Sequence, residues 1–205
     1  MFEPALKRVF AFIDGQNLFH QVKDAFGYRF PNYDVAALTR VVCGVNGWQP
    51  TEVRFYTGIH DATANPFQNA FWVSKTAQMG QVGVKVITRP LRYRNKSVRL
   101  PDGTEHTFLA AEEKGIDVRI ALDVIAGARS GAYDVGIIFS QDQDLAEVAS
   151  EIRTIAREQG RWIKIASAFP DSPTARNRRG INNTDWIRID RGTYDRCIDP
   201  RDYRP

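Results

Sequence analysis

The stretch Val9-Phe10-Ala11-Phe12-Ile13-Asp14-Gly15-Gln16-Asn17 decides the fold. A continuous apolar run closed by an acid and a glycine reads as a strand buried on both faces. Gly15 permits a tight turn directly after it, and Asn17 then lies at or near the first turn of a helix. A second run of the same kind, Val135-Gly136-Ile137-Ile138-Phe139, leads through Ser140 into Gln141-Asp142-Gln143-Asp144. Strands of this type belong to parallel sheets covered by helices. In open α/β sheets the ligand site lies beyond the carboxyl ends of the strands. Two strands that each end in acid therefore predict negative charge gathered in one cleft. Like charges raise one another's pKa, and a hard divalent cation with oxygen ligands is the usual compensation.

Alternation continues on both sides of these runs. Strands are expected at about 8–13, 51–57, 83–88, 134–139 and 161–166. Helices are expected at about 17–25, 33–45, 66–78, 112–128 and 142–158, with Asp34 in the first turn of the second and Gly80 closing the third. Pro101-Asp102-Gly103-Thr104 is a turn signal between two short candidate strands and predicts a hairpin within 92–108. The pattern gives an α/β three-layer sandwich around a mostly parallel five-stranded sheet, with a basic hairpin inserted. The tail is irregular, with an edge element expected around Trp186-Ile187-Arg188-Ile189. A length of 205 residues suits a single domain, here a core over about 8–167 and a C-terminal extension over 168–205.

Composition removes several function classes. Cys43 and Cys197 are isolated, and His20, His60 and His106 are scattered, so neither a zinc site nor a Cys/His catalytic pair is expected. No apolar run approaches the roughly 18 residues of a membrane-spanning helix. Met1-Phe2-Glu3-Pro4 lacks the layout of a signal peptide, so the expectation is a cytoplasmic protein with no membrane partner. The formal charge of +4 is modest, but its distribution is uneven. Arg89, Arg92, Arg94, Lys96 and Arg99 crowd one segment around Tyr93, and Arg176, Arg178 and Arg179 form a second cluster. Acids converging on a cleft while bases concentrate in loops suit a phosphate backbone held near a metal. A homodimer would draw on Trp48, Trp72 or the C-terminal tail.

The segment Lys114-Gly115-Ile116-Asp117-Val118-Arg119-Ile120-Ala121-Leu122-Asp123 supplies a third group of acids. At about 100° per residue, Asp117 shares a face with Ala121 and Val124 and not with Asp123. Asp123 stands one turn beyond Arg119, so an ordinary i,i+4 ion pair explains it. Asp117 has no such partner except Lys114 and is the better functional acid. Ser140 and the acids after it also have a plain reading as helix-start residues.

Asp14-Gly15-x-Asn17, Lys114-Gly115-x-Asp117 and Ser140-x-Asp142-x-Asp144, in this order, resemble the three motifs of NYN domains in the PIN-like nuclease superfamily, nearest to the LabA-like group. The resemblance covers about residues 8–167. It implies a divalent-metal-dependent ribonuclease using Mg²⁺ or Mn²⁺ and acting on RNA, single-stranded RNA above all. It carries over Asp14, Asp117, Asp142 and Asp144 as catalytic and metal-binding acids, with Asn17 and Ser140 as polar support. Gln141 stands where family members often have glycine, and would narrow the approach or change the substrate. Arg92, Tyr93, Arg94, Lys96 and Arg99 are the expected nucleic-acid contacts, Tyr93 by stacking on a base. The alternative reading is a catalytically weak or inactive PIN-like module that binds RNA in a regulatory role. A haloacid-dehalogenase-type phosphatase would want Asp-x-Asp where this chain has Asp14-Gly15-Gln16, and no GxxxxGK[ST] occurs for an NTPase.

Overall fold

The computed structural model describes residues 1–205 throughout. The elements run β1 (Arg8–Asp14), α1 (Gly15–Phe26), α2 (Val35–Val45), β2 (Gln49–Ile59), α3 (Pro66–Gln81), β3 (Lys85–Pro90), β4 (Arg92–Arg99), β5 (Glu105–Glu112), α4 (Ile116–Arg129), β6 (Val135–Phe139), α5 (Ala146–Glu158), β7 (Lys164–Pro170), β8 (Asp185–Ile189) and α6 (Arg191–Asp195). The central sheet has the order β3-β2-β1-β6-β7-β8, and every pairing in it is parallel. One layer of core packs α1, α2, α3 and α6 against one face of the sheet, and another packs α4 and α5 against the other.

The expected three-layer α/β architecture is therefore present, with six strands instead of five. The added strand is β8, which pairs with β7 from Ala166 opposite Asp185 to Pro170 opposite Ile189; it contains the edge element anticipated at 186–189. The hairpin expected within 92–108 is longer, and β4 and β5 form a separate two-stranded antiparallel sheet. The helix expected from 112 begins at Ile116, because Glu105–Glu112 is spent on β5 and Gly115 adopts a left-handed φ of 75°. The helix expected from 142 begins at Ala146, after a 3-10 turn over Gln143–Leu145. Asp34 does not sit inside α2 but caps it, accepting from the amides of Ala36 and Ala37 at 2.9 Å each. α3 runs on through Gly80 to Gln81.

Trp72, expected at a homodimer surface, is buried in the core with its ring stacked on Phe55 at 5.9 Å. No helix is long and apolar enough to cross a membrane.

The C-terminal residues are tied to the core through a buried lysine. Lys75 of α3 donates to the Tyr33 carbonyl at 3.0 Å and lies 3.6 Å from Asp199. Its ammonium stands 4.7 Å from the centre of the Tyr203 ring. The Tyr33 hydroxyl in turn donates to the Gly15 carbonyl at 2.9 Å. A continuous chain of contacts thus links the tail to the turn that follows β1.

Candidate active site

Strands leave β1 in one direction through β2 to β3, and in the other through β6 to β8. The order reverses between β1 and β6, which is where open α/β sheets bind ligands. Asp14 ends β1, and Ser140-Gln141-Asp142 follows β6, with Ile13 directly opposite Phe139. One register thus brings the two acidic motifs side by side.

Asp14 caps α1, its Oδ1 accepting from the Asn17 amide at 3.0 Å. The residue is only 6% exposed. Burial pushes its carboxyl up to about 6; the Asn17 amide and the Ser140 hydroxyl pull it down, and the charges of Asp142 and Asp117 push it further up. Gly15 does not have a left-handed backbone. It is needed for a different reason, because a Cβ there would stand 2.5 Å from the Phe55 ring and 2.9 Å from the Tyr56 carbonyl oxygen. α1 can begin directly at the strand end only if this position is bare.

Asp14, Asp117 and Asp142 line one open cavity of about 410 Å³, together with Glu113, Lys114 and Gly115. Asp117 occupies the first turn of α4. Asp142 is held by its own amide, which donates to Ser140 Oγ at 3.1 Å, and its Oδ1 accepts from the Asp144 amide at 3.0 Å. Asp144 does not line this cavity. It is exposed on the 3-10 turn and reaches the site only through that hydrogen bond. Asn17 acts as a brace, its Oδ1 accepting from the Gln141 amide at 3.0 Å and so joining α1 to the segment after β6.

Glu113 is a site residue that sequence reasoning missed. The helix expected from 112 places it inside the first turn, where it is not singled out. In the structure it precedes the helix and accepts from the Gly58 amide. Burial pushes its carboxyl up to about 7, and Asp14 and Asp117 push it in the same direction against the Gly58 hydrogen bond. The adjoining Lys114-Gly115-x-Asp117 motif was the available signal, since the left-handed Gly115 forces the chain to turn just after Glu113.

These donors suit a hard cation in kind: four carboxyl groups face one cavity, and two of them stand well above the usual carboxylate range. No three of them converge closely enough to hold an ion by themselves. Mg²⁺ typically takes one or two carboxylates and completes its shell with water and substrate phosphate, so this open arrangement fits that habit.

Gln141 is buried, and its side-chain amide donates to the carbonyls of Asn177 at 3.2 Å and Arg179 at 2.9 Å. Gln143 adds bonds to the Gly180 carbonyl and the Asn182 amide, each 3.1 Å. The glutamine that replaces the family's glycine therefore points to the 177–182 segment and anchors it beside the site. Arg179 there is exposed and unpaired, whereas Arg178 is bound to Asp171 at 2.8 Å and Arg176 lies 3.6 Å from Asp24.

Asp123 is structural, as its spacing from Arg119 suggested. It accepts from the Tyr56 hydroxyl at 2.9 Å and Arg119 at 2.9 Å, with Arg54 at 3.6 Å. Asp123→Ala would leave the Tyr56 hydroxyl and the Arg119 guanidinium without their acceptor, while Arg54 keeps Glu52. We expect a stability loss of about 3 kcal/mol, measured by urea denaturation, with cleavage per folded molecule unchanged. A loss of cleavage at full stability would instead place Asp123 in the site.

Arg92, Arg94 and Arg99 on β4 are exposed and form no ion pairs; Lys96 is paired with Glu112 at 2.8 Å. Tyr93 is half-buried, with its hydroxyl 3.2 Å from His60 Nδ1 and accepting from the Asp61 amide at 3.1 Å. It pins the base of the arm formed by β4 and β5 to the end of β2.

The family model for the NYN domain matches residues 8–179. No curated protein matches the chain. Among solved structures, a protein of unknown function from Vibrio parahaemolyticus superposes with a TM-score of 0.57 at 19% identity, over 93% of this chain and 98% of that one. A ribokinase from Giardia lamblia gives 0.39 at 8% identity, over 84% of this chain and 53% of its own, too low a score to inform function. The first likeness extends the fold over nearly the whole of both chains, and the match to residues 8–179 spans the three acidic motifs. The chain belongs to the NYN domain family of the PIN-like nuclease superfamily.

Proposed function

We propose that this protein is a divalent-metal-dependent ribonuclease that hydrolyses phosphodiester bonds of single-stranded RNA. The observation that carries the reading is the buried Asp14, placed at the sheet's reversal point and facing Asp117 and Asp142 across one open cavity. A carboxylate so buried, among others of its own sign, is the mark of a site built for a cation.

Mg²⁺ or Mn²⁺ would be held by Asp14 and Asp142, with Asp117 as a further oxygen donor, while the exposed Asp144 acts through its amide bond to Asp142 Oδ1. When bound, the ion supplies charge neutralisation for the phosphate and a lowered pKa for a neighbouring water. Ser140 and Asn17 keep Asp14 and Asp142 in register by hydrogen bonds to them or to their backbone. Glu113, with its carboxyl near neutrality, takes a proton from the attacking water at physiological pH. Hydrolysis of this kind leaves a 5′-phosphate. Arg179, held near the cavity by Gln141, and the free arginines of β4 hold the strand through its phosphates.

End-labelled single-stranded RNA incubated with the pure protein in Mn²⁺, Mg²⁺ or EDTA tests the reading. Cutting in either metal and none in EDTA supports it. RNA retained but uncut in all three favours the alternative, a non-catalytic RNA-binding module, for which Gln141 in place of the family's usual glycine speaks. The arm is tested separately. Replacing Arg92, Arg94 and Arg99 together with Ala is expected to lower the slope of log affinity against log salt by about 2, at about 0.7 per phosphate contact on a single strand. An unchanged slope removes the arm from the interface.

A further inference from the structure

A second cavity lies beside the acidic one and takes no part in the chemistry above. It measures about 390 Å³, within the range of small-ligand pockets. α1, the loop before Tyr33, the start of α3 and the foot of the hairpin arm enclose it. Its walls mix flat rings with unspent polar groups. Phe19 stands on one side and Phe67 lies at the rim, 43% exposed; Phe30, also at the rim, has the Arg204 guanidinium over its ring at 5.4 Å, which leaves the other face for a ligand. The side-chain amides of Gln16 and Gln68 also line it and have no partner within the protein. Arg29 is exposed at its edge and makes no ion pair.

We propose that this pocket receives one nucleobase of the bound strand and gives the protein its base preference. The proposal rests on the ribonuclease reading for the path of the strand, but not for the chemistry of the pocket. Large exposed rings around a slot are poorly placed in water unless something flat covers them. A base has two π faces for the phenylalanines and an edge rich in donors and acceptors. Each glutamine amide offers both a donor and an acceptor to such an edge. Arg29 suits the phosphate that accompanies every base. A purely apolar peptide partner would leave both amides and the guanidinium unsatisfied.

Position argues the same way. Gln16 is two residues from Asp14 along the first turn of α1, so the pocket and the acidic cavity share that turn. Leu91 and Ala111, at the foot of the arm, line the pocket too. A strand held by the arm's arginines and reaching Asp14 would therefore pass this pocket. His60 lies in the same wall; burial lowers its pKa, so its ring is neutral at physiological pH and adds no charge against the base.

The test is equilibrium binding, by fluorescence anisotropy, of a fluorescein-labelled single-stranded RNA of about ten nucleotides, a length within the known range of binding sites. EDTA prevents cleavage. A series of the same RNA carries one abasic nucleotide at each successive position. Wild-type protein should lose roughly 5- to 150-fold in affinity at one position and little elsewhere, as expected for a single stacked base. In Phe67→Ala the intact RNA should bind more weakly, and the penalty at that position should largely vanish. Arg29→Ala should weaken binding evenly across the series. Phe67 and Arg29 are both exposed, so neither change threatens folding, and circular dichroism verifies this. A series with no sensitive position, or a penalty that persists undiminished in Phe67→Ala, overturns the pocket, whatever the cleavage assay gives. Failure to cleave with the abasic pattern intact overturns only the nuclease reading.

Discussion

Asp14→Asn protein should cleave single-stranded RNA slower by on the order of a thousandfold, and should nevertheless be the more stable protein at neutral pH. Asparagine can replace aspartate as the acceptor that caps α1, so the Asn17 hydrogen bond survives the change. What disappears is a buried charge. Burial has raised the Asp14 carboxyl from 3.8 to about 6. Below about pH 4 it is protonated in both the folded and the unfolded chain and costs nothing. Between about 4 and 6 the folded chain holds the proton more tightly, so stability falls as pH rises through this window. Above 6 the full cost applies, about 3 kcal/mol. In EDTA, urea denaturation at pH 4 and pH 7.5 should therefore show wild type losing stability relative to the variant. Mg²⁺ or Mn²⁺ should return that stability to wild type and give little to Asp14→Asn, because a ligand stabilises only the form that binds it. Undiminished cleavage by the variant would move the active site elsewhere. Equal pH dependence of the two proteins would mean that Asp14 ionises like an ordinary surface carboxylate.

Asp199→Ala is expected to cost about 3–5 kcal/mol, the range for removing one partner from a buried ion pair. For a chain of this size that corresponds to roughly 6–20 °C in melting temperature. Burial alone would raise the Asp199 carboxyl, but the Tyr203 hydroxyl, the Arg201 amide and Lys75 hold it below its ordinary value. Without it, the ammonium of Lys75 keeps the Tyr33 carbonyl, two aromatic faces and the more distant charge of Asp34. Lys75→Met should cost markedly less, because it removes the buried charge together with the need for a partner. Thermal unfolding of the two variants side by side decides this. If Lys75→Met proves as damaging as Asp199→Ala, the loss lies in packing and not in charge. Tyr33 also holds the Gly15 carbonyl, so Asp199→Ala should lower cleavage modestly even at temperatures where it is fully folded.

Much of this arrangement was legible in the chain. The runs Val9–Ile13 and Val135–Phe139 are buried on both faces, and nothing but a parallel sheet under helices explains them. They fixed the fold class and put Asp14 and Asp142 at one edge. Asp117 and Asp123 separated by spacing alone, because one had a partner at i−4 and the other did not. The misses share a cause: contacts distant in sequence decided them. The edge element anticipated at 186–189 was legible, but not that the open edge of β7 pairs with it and makes it a sixth strand of the sheet. Glu113 became a site residue when β5 ran on to Glu112 and displaced the helix start. Gly15 looked like a turn glycine, whereas the Phe55 ring, forty residues away in sequence, is what excludes a side chain there. Gln141 is the converse case. The departure from the family pattern was visible, but its two bonds to the 177–179 backbone were not.

The arm formed by β4 and β5 shares no ladder with the central sheet and touches the body mainly at its foot, through Leu91 and the Tyr93 hydroxyl. A lone two-stranded ribbon contributes little to global stability, and little of the molecule depends on it in return. Its length, twist and charge can therefore drift without disturbing either the acids or the cores that position them. In this architecture the choice of substrate can evolve on a different clock from the chemistry.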